Sequence, residues 1–172
     1  MSKIDTGVIN FAVYEDATEY LGMAEVTLPN IEVMKETIKG AGISGEFDAP
    51  YLGHVAAMTI TINFRTVNQN ASKLLEPRNH KLEFRSSQQY RENTTGEIST
   101  SSEKIVVMAQ PTKLGLGKRA PASPADVSGE YSITYLYHVL DGKKNIEIDI
   151  LNFIYYVNGK DYLEKVRKDL GK

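Results

Sequence analysis

The side chains able to do chemistry are few and scattered. The chain has three histidines, His54, His80 and His138, and no cysteine. The histidines share no His-x-His or His-x-x-x-His spacing, and each falls on or beside a strand-like run. A zinc site or a catalytic triad would therefore need the fold to bring them together. Thiolate metal sites and disulfides are excluded. Glu147 and Asp149 are paired carboxylates on alternate positions. A glycosidase sets its acid and base on either side of a sugar cleft, whereas these stand on one strand face, as solvated polar residues do. Lys113-Leu-Gly-Leu-Gly-Lys-Arg119 has the look of a phosphate loop, but one residue separates its glycines and Arg119 rather than Ser or Thr follows Lys118. Pro121 and Pro124 oppose a helix behind it, which leaves an exposed basic loop that is either plainly solvated or touches a partner. No nucleophile–base pair is legible, and neither a metal nor a cofactor is expected.

The elements around these residues are mostly strands. Val8 to Glu15 alternates Val8, Asn10, Ala12 and Tyr14 against Ile9, Phe11 and Val13. Tyr20 to Leu28 reads as a second strand ended by Pro29-Asn30, and Ile31 to Ile38 as extended. His54 to Val67 reads as one strand, with Met58, Ile60, Ile62 and Phe64 on one face and Thr59, Thr61, Asn63 and Arg65 on the other. Asn68 to Glu76 reads as a short helix capped by Asn68 or Asn70, with Leu74 and Leu75 inward and Pro77 as its stop. His80 to Tyr90 and Glu97 to Gln110 are strands about a turn at Arg91 to Gly96. Pro111 to Ser128 carries three prolines and two glycines and reads as a surface loop. Gly129 to Leu140 and Lys144 to Val157 form a hairpin about Asp141-Gly142. Its second arm places Ile146, Ile148 and Ile150 opposite Glu147 and Asp149. Asp161 caps a final helix whose Leu163, Val166 and Leu170 share a face, with Gly171 past its end.

Between Glu32 and Arg65 lies a polar excursion, Gly40 to Gly53, laced with Gly40, Gly42 and Gly45. Long loops in compact domains are usually functional or disordered. This one carries Ile43, Phe47 and Tyr51, which a purely solvated loop would not favour, and its flanks can extend as a β-ribbon whose edges invite another chain.

Composition bounds the function. The 172 residues suit a single domain, 1–172, with a real core. Hydrophobic residues at 41% and charged residues at 24% fit neither a disordered nor a membrane protein. The net charge of −2 argues against a dedicated nucleic-acid binder. The ten tyrosines suit half-buried or interfacial positions. The start, Met1 to Asp5, lacks an apolar signal segment, so cytoplasmic synthesis is the expectation.

Two stretches carry a family resemblance. The run Asn145 to Leu163, continuing to Arg167-Lys-Asp-Leu-Gly171, and the central run Val26-Thr-Leu-Pro29-Asn-Ile with Lys39-Gly-Ala-Gly-Ile-Ser-Gly45, resemble the major tail tube protein family of contractile-tailed bacteriophages, which extends to phage-tail-like bacteriocins. The resemblance spans nearly the whole chain. It implies a mainly β fold: a β-sandwich or half-barrel with one or two short helices and a long β-hairpin loop. It also implies hexameric rings stacked into a hollow tube, with a loop bridging to the next ring. The candidate here is Thr37 to Val55, with Lys39, Gly40, Gly42, Ile43, Gly45, Phe47, Asp48 and Tyr51 as assembly residues.

Implied partners are copies of the chain itself, a tail sheath protein, a tape-measure protein, and baseplate and tail terminator proteins, with DNA only in transit and no membrane. The implied location is the virion tail or a phage-tail-like particle, assembled in the host bacterial cytoplasm. A lumen wall needs short polar side chains with an apolar layer behind. Thr59, Thr61 and Asn63 backed by Ile60, Ile62 and Phe64 meet that need. So do Glu147 and Asp149 backed by Ile148 and Ile150, whose carboxylates would repel DNA phosphates. Alternation alone leaves both polar faces open as the lumen. Two other readings stand beside this one: a soluble β-barrel holding a small ligand or sugar, and a hydrolase using Glu147 and Asp149.

Overall fold

The computed structural model describes residues 3–22, 24–66 and 68–172. Met1, Ser2, Met23 and Val67 lie outside the described residues, including the start of the chain and single positions in the expected Tyr20–Leu28 and His54–Val67 strands. The strands are β1 (Lys3–Glu15), β2 (Glu19–Tyr20), β3 (Ala24–Thr27), β4 (Val33–Lys39), β5 (Glu46–Val55), β6 (Met58–Phe64), β7 (His80–Glu92), β8 (Ile98–Gly115), β9 (Val127–Leu140), β10 (Lys143–Asp149), β11 (Ile154–Val157) and β12 (Lys160–Asp161). The helices are α1 (Gln69–Lys73) and α2 (Glu164–Asp169). The fold is mainly β, as expected, and its pairings are antiparallel.

β9 organises the body because it serves two half-sheets. One side pairs with β8 along its whole length. On the other side, its first half pairs with β6, from Phe64 opposite Val127 to Met58 opposite Ile133, and its second half with β10, from Tyr135 opposite Asp149 to Leu140 opposite Lys143. Thr134 is an extra residue at this fork, since Met108 opposes Tyr135 while Ala109 opposes Ile133. The bulge shifts the alternation, so that Val127, Tyr131 and Ile133 and then Leu136 all face the core. Such a shift lets one strand bend from one packed layer into the other. The half-sheet β3-β6-β9 then closes over β10-β9-β8-β7-β1, and Ile60, Ile62 and Phe64 join Leu82, Phe84, Val107 and Val13 in one cluster. Tyr131, Phe64, Met58 and Leu74 fill that interior, so it is packed rather than hollow.

α1 plugs one end. Ala71 N donates to Asn68 Oδ1 at 2.8 Å, the expected cap, but the helix ends at Lys73, and only Leu74 is buried while Leu75 is exposed. Beneath α1, Glu15 is fully buried. Its carboxylate meets His80 Nδ1 at 2.7 Å, Arg78 Nη2 at 2.6 Å and Lys73 Nζ at 3.2 Å, joining the end of β1 to α1 and the start of β7.

Several expected boundaries move for local reasons. His54 to Val67 is not one strand: His54 and Val55 end β5, and β6 starts after Ala56-Ala57. Tyr20 to Leu28 divides into β2 and β3. β8 runs on through Pro111 to Gly115, because Pro111 sits beside a second bulge where Thr112 is the extra residue, and the surface loop shrinks to 116–126. Lys144 to Val157 is two strands. Asp149 Oδ1 accepts from Leu151 N at 3.0 Å and Asn152 N at 2.9 Å, and Phe153 takes φ +55°, so the chain turns and β11 folds back on β10. Ile150 is consequently exposed and does not join Ile146 and Ile148. In β1, Ile9 sits in a bulge, which brings Val8 onto the face of Phe11 and Val13 against simple alternation. At the C-terminus Leu163 is buried but Leu170 is exposed.

Burial pushes the Glu15 carboxyl up, but the bonds from His80, Lys73 and Arg78 outweigh it and hold the group below its ordinary 4.5. A depressed acid stabilises the fold above its unfolded value and loses that stabilisation as pH falls through the folded value. The acid limb of a stability curve, below about pH 4.5, should therefore flatten in Glu15→Gln. At neutral pH the same variant should lose about 3 kcal/mol, the cost of unpairing a buried cluster. Thermal melts across pH check this, and an acid limb unchanged in slope would contradict it.

Candidate assembly surfaces

Among the described residues the three histidines stand apart, each in its own setting. His80 is buried against Glu15 and the Glu76 carbonyl, at 2.7 and 3.0 Å. His138 lies 2.9 Å from Glu103 and 3.2 Å from Asn145. His54 belongs to the β4–β5 ribbon, edge-on to Tyr51. Among the described residues no His, Asp and Glu cluster is gathered as a metal requires. Glu147 pairs with Lys144 and accepts from Tyr135 Oη at 3.0 Å, and Asp149 holds the turn after β10. Burial, then Glu147, pushes the Tyr135 phenol up. Both carboxylates are thus occupied as structural acceptors.

The region expected as a polar excursion is an ordered ribbon. Among the described residues β4 and β5 pair only with each other, from Lys39 opposite Glu46 back to Lys35 opposite Pro50. Gly42 and Gly45, at φ +98° and +134°, make the tip that joins them, with Lys39 and Gly40 at its start and Ile43 exposed within it. Alternation then separates two faces. One is polar and self-satisfied: Asp48 pairs with Lys35 at 2.6 Å and accepts from Thr37 at 2.8 Å. The other carries Met34, Ile38, Phe47, Ala49 and Tyr51. Its one charge, Glu36, is held by the Tyr51 hydroxyl. Phe47 is 54% exposed, Met34 and Tyr51 52% and Ile38 43%. An amphipathic two-stranded ribbon of this kind is marginal by itself.

Two further surfaces are open. No strand pairs with the outer edge of β1 from Lys3 to Ala12 among the described residues, since β2 reaches only Tyr14 and Glu15. Beside it Val8, Phe11, Val26, Leu28, Phe84 and Ile105 line an apolar groove of about 470 Å³. Neither surface is singled out by sequence reasoning. The bulge at Ile9 creates the apolar face, and the signal that could have found it is the density of apolar residues in a run that alternation divides.

The two stretches proposed for a lumen both pair with β9, one on each side of its fork. Thr59, Thr61 and Asn63 oppose Ser132, Glu130 and Ser128 of β9, while Glu147 and Asp149 oppose Tyr137 and Tyr135 beyond the bulge. Both sets face away from the core. Thr59 is exposed and the other four are half-buried. Two of the three acids there are matched by cations, Glu130 with Lys113 at 3.2 Å and Glu147 with Lys144, while Asp149 accepts from the amides of the turn after β10.

Comparison with known proteins agrees with a molecule whose open features are surfaces rather than a reaction site. A family model described as phage tail tube protein FII matches residues 5–171. A tail tube protein of Escherichia phage P2 is 26% identical over 172 residues, covering 92% of this chain and 93% of the relative. The chain belongs to the phage tail tube protein FII family, a structural component of the virion tail and not an enzyme.

Proposed function

We propose that the subunit closes with copies of itself into hexameric rings, and that the β4–β5 arm of one ring docks on the next to build a hollow tube. The arm supports this most strongly: an ordered ribbon that leaves the body and presents Met34, Ile38, Phe47 and Tyr51 to water. Burial of such side chains contributes about 1.5–3 kcal/mol each, which is ample to drive stacking. The open β1 edge offers main-chain groups for pairing around a ring, and a closed ring removes such edges. The faces bearing Thr59, Thr61 and Asn63 and bearing Glu147 and Asp149 line the lumen, where neutral polar and acidic side chains let DNA pass without being gripped. A contractile sheath surrounds the tube, a tape-measure protein fills it first, and baseplate and terminator proteins close its ends. Assembly takes place in the host bacterial cytoplasm, and the same reading covers a phage-tail-like particle. Arm-to-ring contacts are heterologous and do not close, so growth is open-ended and another component must set tube length.

Electron microscopy of the purified protein at high concentration should show rings or tubes, and dispersed monomers across all salt conditions would contradict the reading. Replacing residues 38–47 by a two-residue Asn-Gly turn should leave a folded subunit that forms no long tubes; normal tubes would place stacking elsewhere. The double variant Ile38→Ser/Phe47→Ser should melt within about 2 °C of the parent, because both side chains are solvent-exposed in the subunit. It should raise the concentration needed for tube growth about 100-fold, from roughly 3 kcal/mol of lost burial. An unchanged threshold in light-scattering titrations would show that the apolar face does not dock.

A further inference from the structure

The arm joins the body at an irregular joint. Val33 opposite Val55 closes its base, and Ala56 N donates to the Glu32 carbonyl at 2.8 Å. The next pair is Lys35 opposite Pro50, so Met34 alone faces the four residues Tyr51 to His54. A ribbon with extra residues on one strand bends toward the other, and Gly53, at φ +67°, lies inside that bend. Beyond the base each strand packs chiefly on the other, so the angle of the ribbon to the body is set near that base.

The Leu163 side chain bears directly on this joint. A Cβ placed on Gly53 would lie 2.7 Å from Cγ, Cδ1 and Cδ2 of Leu163, so the whole isobutyl branch occupies the space a larger residue would need. Leu163 is 7% exposed, and its own position is fixed. Its N–H donates to Asp161 Oδ1 at 3.0 Å. Arg167 reaches back from α2 to Asp161 at 2.7 Å and donates to the Phe153 carbonyl at 2.7 Å. Tyr162 N donates to the Tyr155 carbonyl at 2.9 Å, tying the segment to β11 and through β10 to the main sheet. Beside the contact lies a groove of about 410 Å³, lined by Tyr51 and Leu52 of the arm and by Ile150, Phe153, Leu163 and Val166 of the body among others.

We propose that Leu163, at the head of the C-terminal helix, is a positioning residue that wedges against Gly53 and fixes the direction in which the arm leaves the subunit. The C-terminal segment thereby sets the rise and twist between successive rings. This deepens the stacking role proposed for the arm and rests on it. Glycine is required at residue 53 because the bend needs left-handed backbone and the wedge leaves no room for a Cβ. The arm supplies contact area, and Leu163 supplies its angle.

The test compares Leu163→Ala, Leu163→Met and Gly53→Ala in tubes assembled from purified full-length protein, with helical rise and twist measured by cryo-electron microscopy and subunit melting followed in parallel. Leu163→Ala should keep a cooperative melt yet give tubes with a shifted or variable rise and twist, or raise the assembly threshold at least 10-fold. Leu163→Met, which keeps a bulky side chain against Gly53, should restore the parental values. Gly53→Ala should disturb rise and twist from the other side of the contact, and it keeps the test open if Leu163→Ala fails to fold. Parental rise, twist and threshold in both Leu163→Ala and Gly53→Ala would overturn the proposal, as would a Leu163→Met tube as disturbed as the alanine one. Normal tubes from the variant with its arm cut back to Thr37 and Asp48 would instead overturn the stacking role of the arm, so the two failures are distinguishable.

Discussion

A two-stranded ribbon has only two faces, and water cannot stabilise an apolar one. That constraint governs the rest of the molecule. In β4 and β5 the polar face is closed by Lys35, Thr37 and Asp48, while the opposite face leaves Met34, Ile38, Phe47 and Tyr51 about half exposed. Hydrogen bonds between two strands do not offset the backbone entropy of ordering them unless something covers the apolar side. No other part of the described subunit does so. The open β1 edge and the apolar groove beside it make the same demand at another place. All three are requirements for a partner, and a chain that builds a polymer meets them with its own copies.

The body answers a different problem, which is to hold these surfaces in fixed relation. β9 achieves this by serving two half-sheets, with the single extra residue Thr134 at the fork. The bulge keeps the apolar residues of both halves of β9 turned into one core. At the far end of the same sheet, the buried Glu15 cluster ties β1, α1 and β7 together. At the other end, Asp161 and Arg167 fasten the C-terminal helix and place Leu163 against the base of the arm. Burial pushes the Asp161 carboxyl up, but the Arg167 guanidinium and the amides of Leu163 and Tyr155 outweigh it and hold the group below the usual carboxylate range. It is therefore charged at neutral pH and available to hold that helix.

Much of this was legible from residue patterns. The period-two alternation of Met58 to Phe64 gives β6 and its buried face, and Asn68 announces its cap. The glycines at 40, 42 and 45 mark the tip of the arm, and Asp141-Gly142 marks a two-residue hairpin turn. What alternation could not show follows from single residues that change its phase. Ile9 and Thr134 are bulged, and nothing in their side chains says so; pairing across the sheet decides it. Ile150 and Leu151 look like the continuation of a strand, yet Asp149 captures two amides ahead of it and turns the chain. Pro111 looks like a strand end but falls beside a bulge, where its missing N–H costs no ladder bond. Leu163 reads as an ordinary apolar helix residue, and its contact with Gly53 joins positions far apart in sequence.

Amide hydrogen exchange on unassembled and assembled protein tests most directly whether copies of the chain complete these surfaces. Amides of residues 33–55, and those of residues 3–12 that point away from β7, should exchange rapidly in the free subunit and become strongly protected on assembly, while those of β6 and β9 are protected in both states. Equal exchange of the arm and the β1 edge in the two states would contradict it.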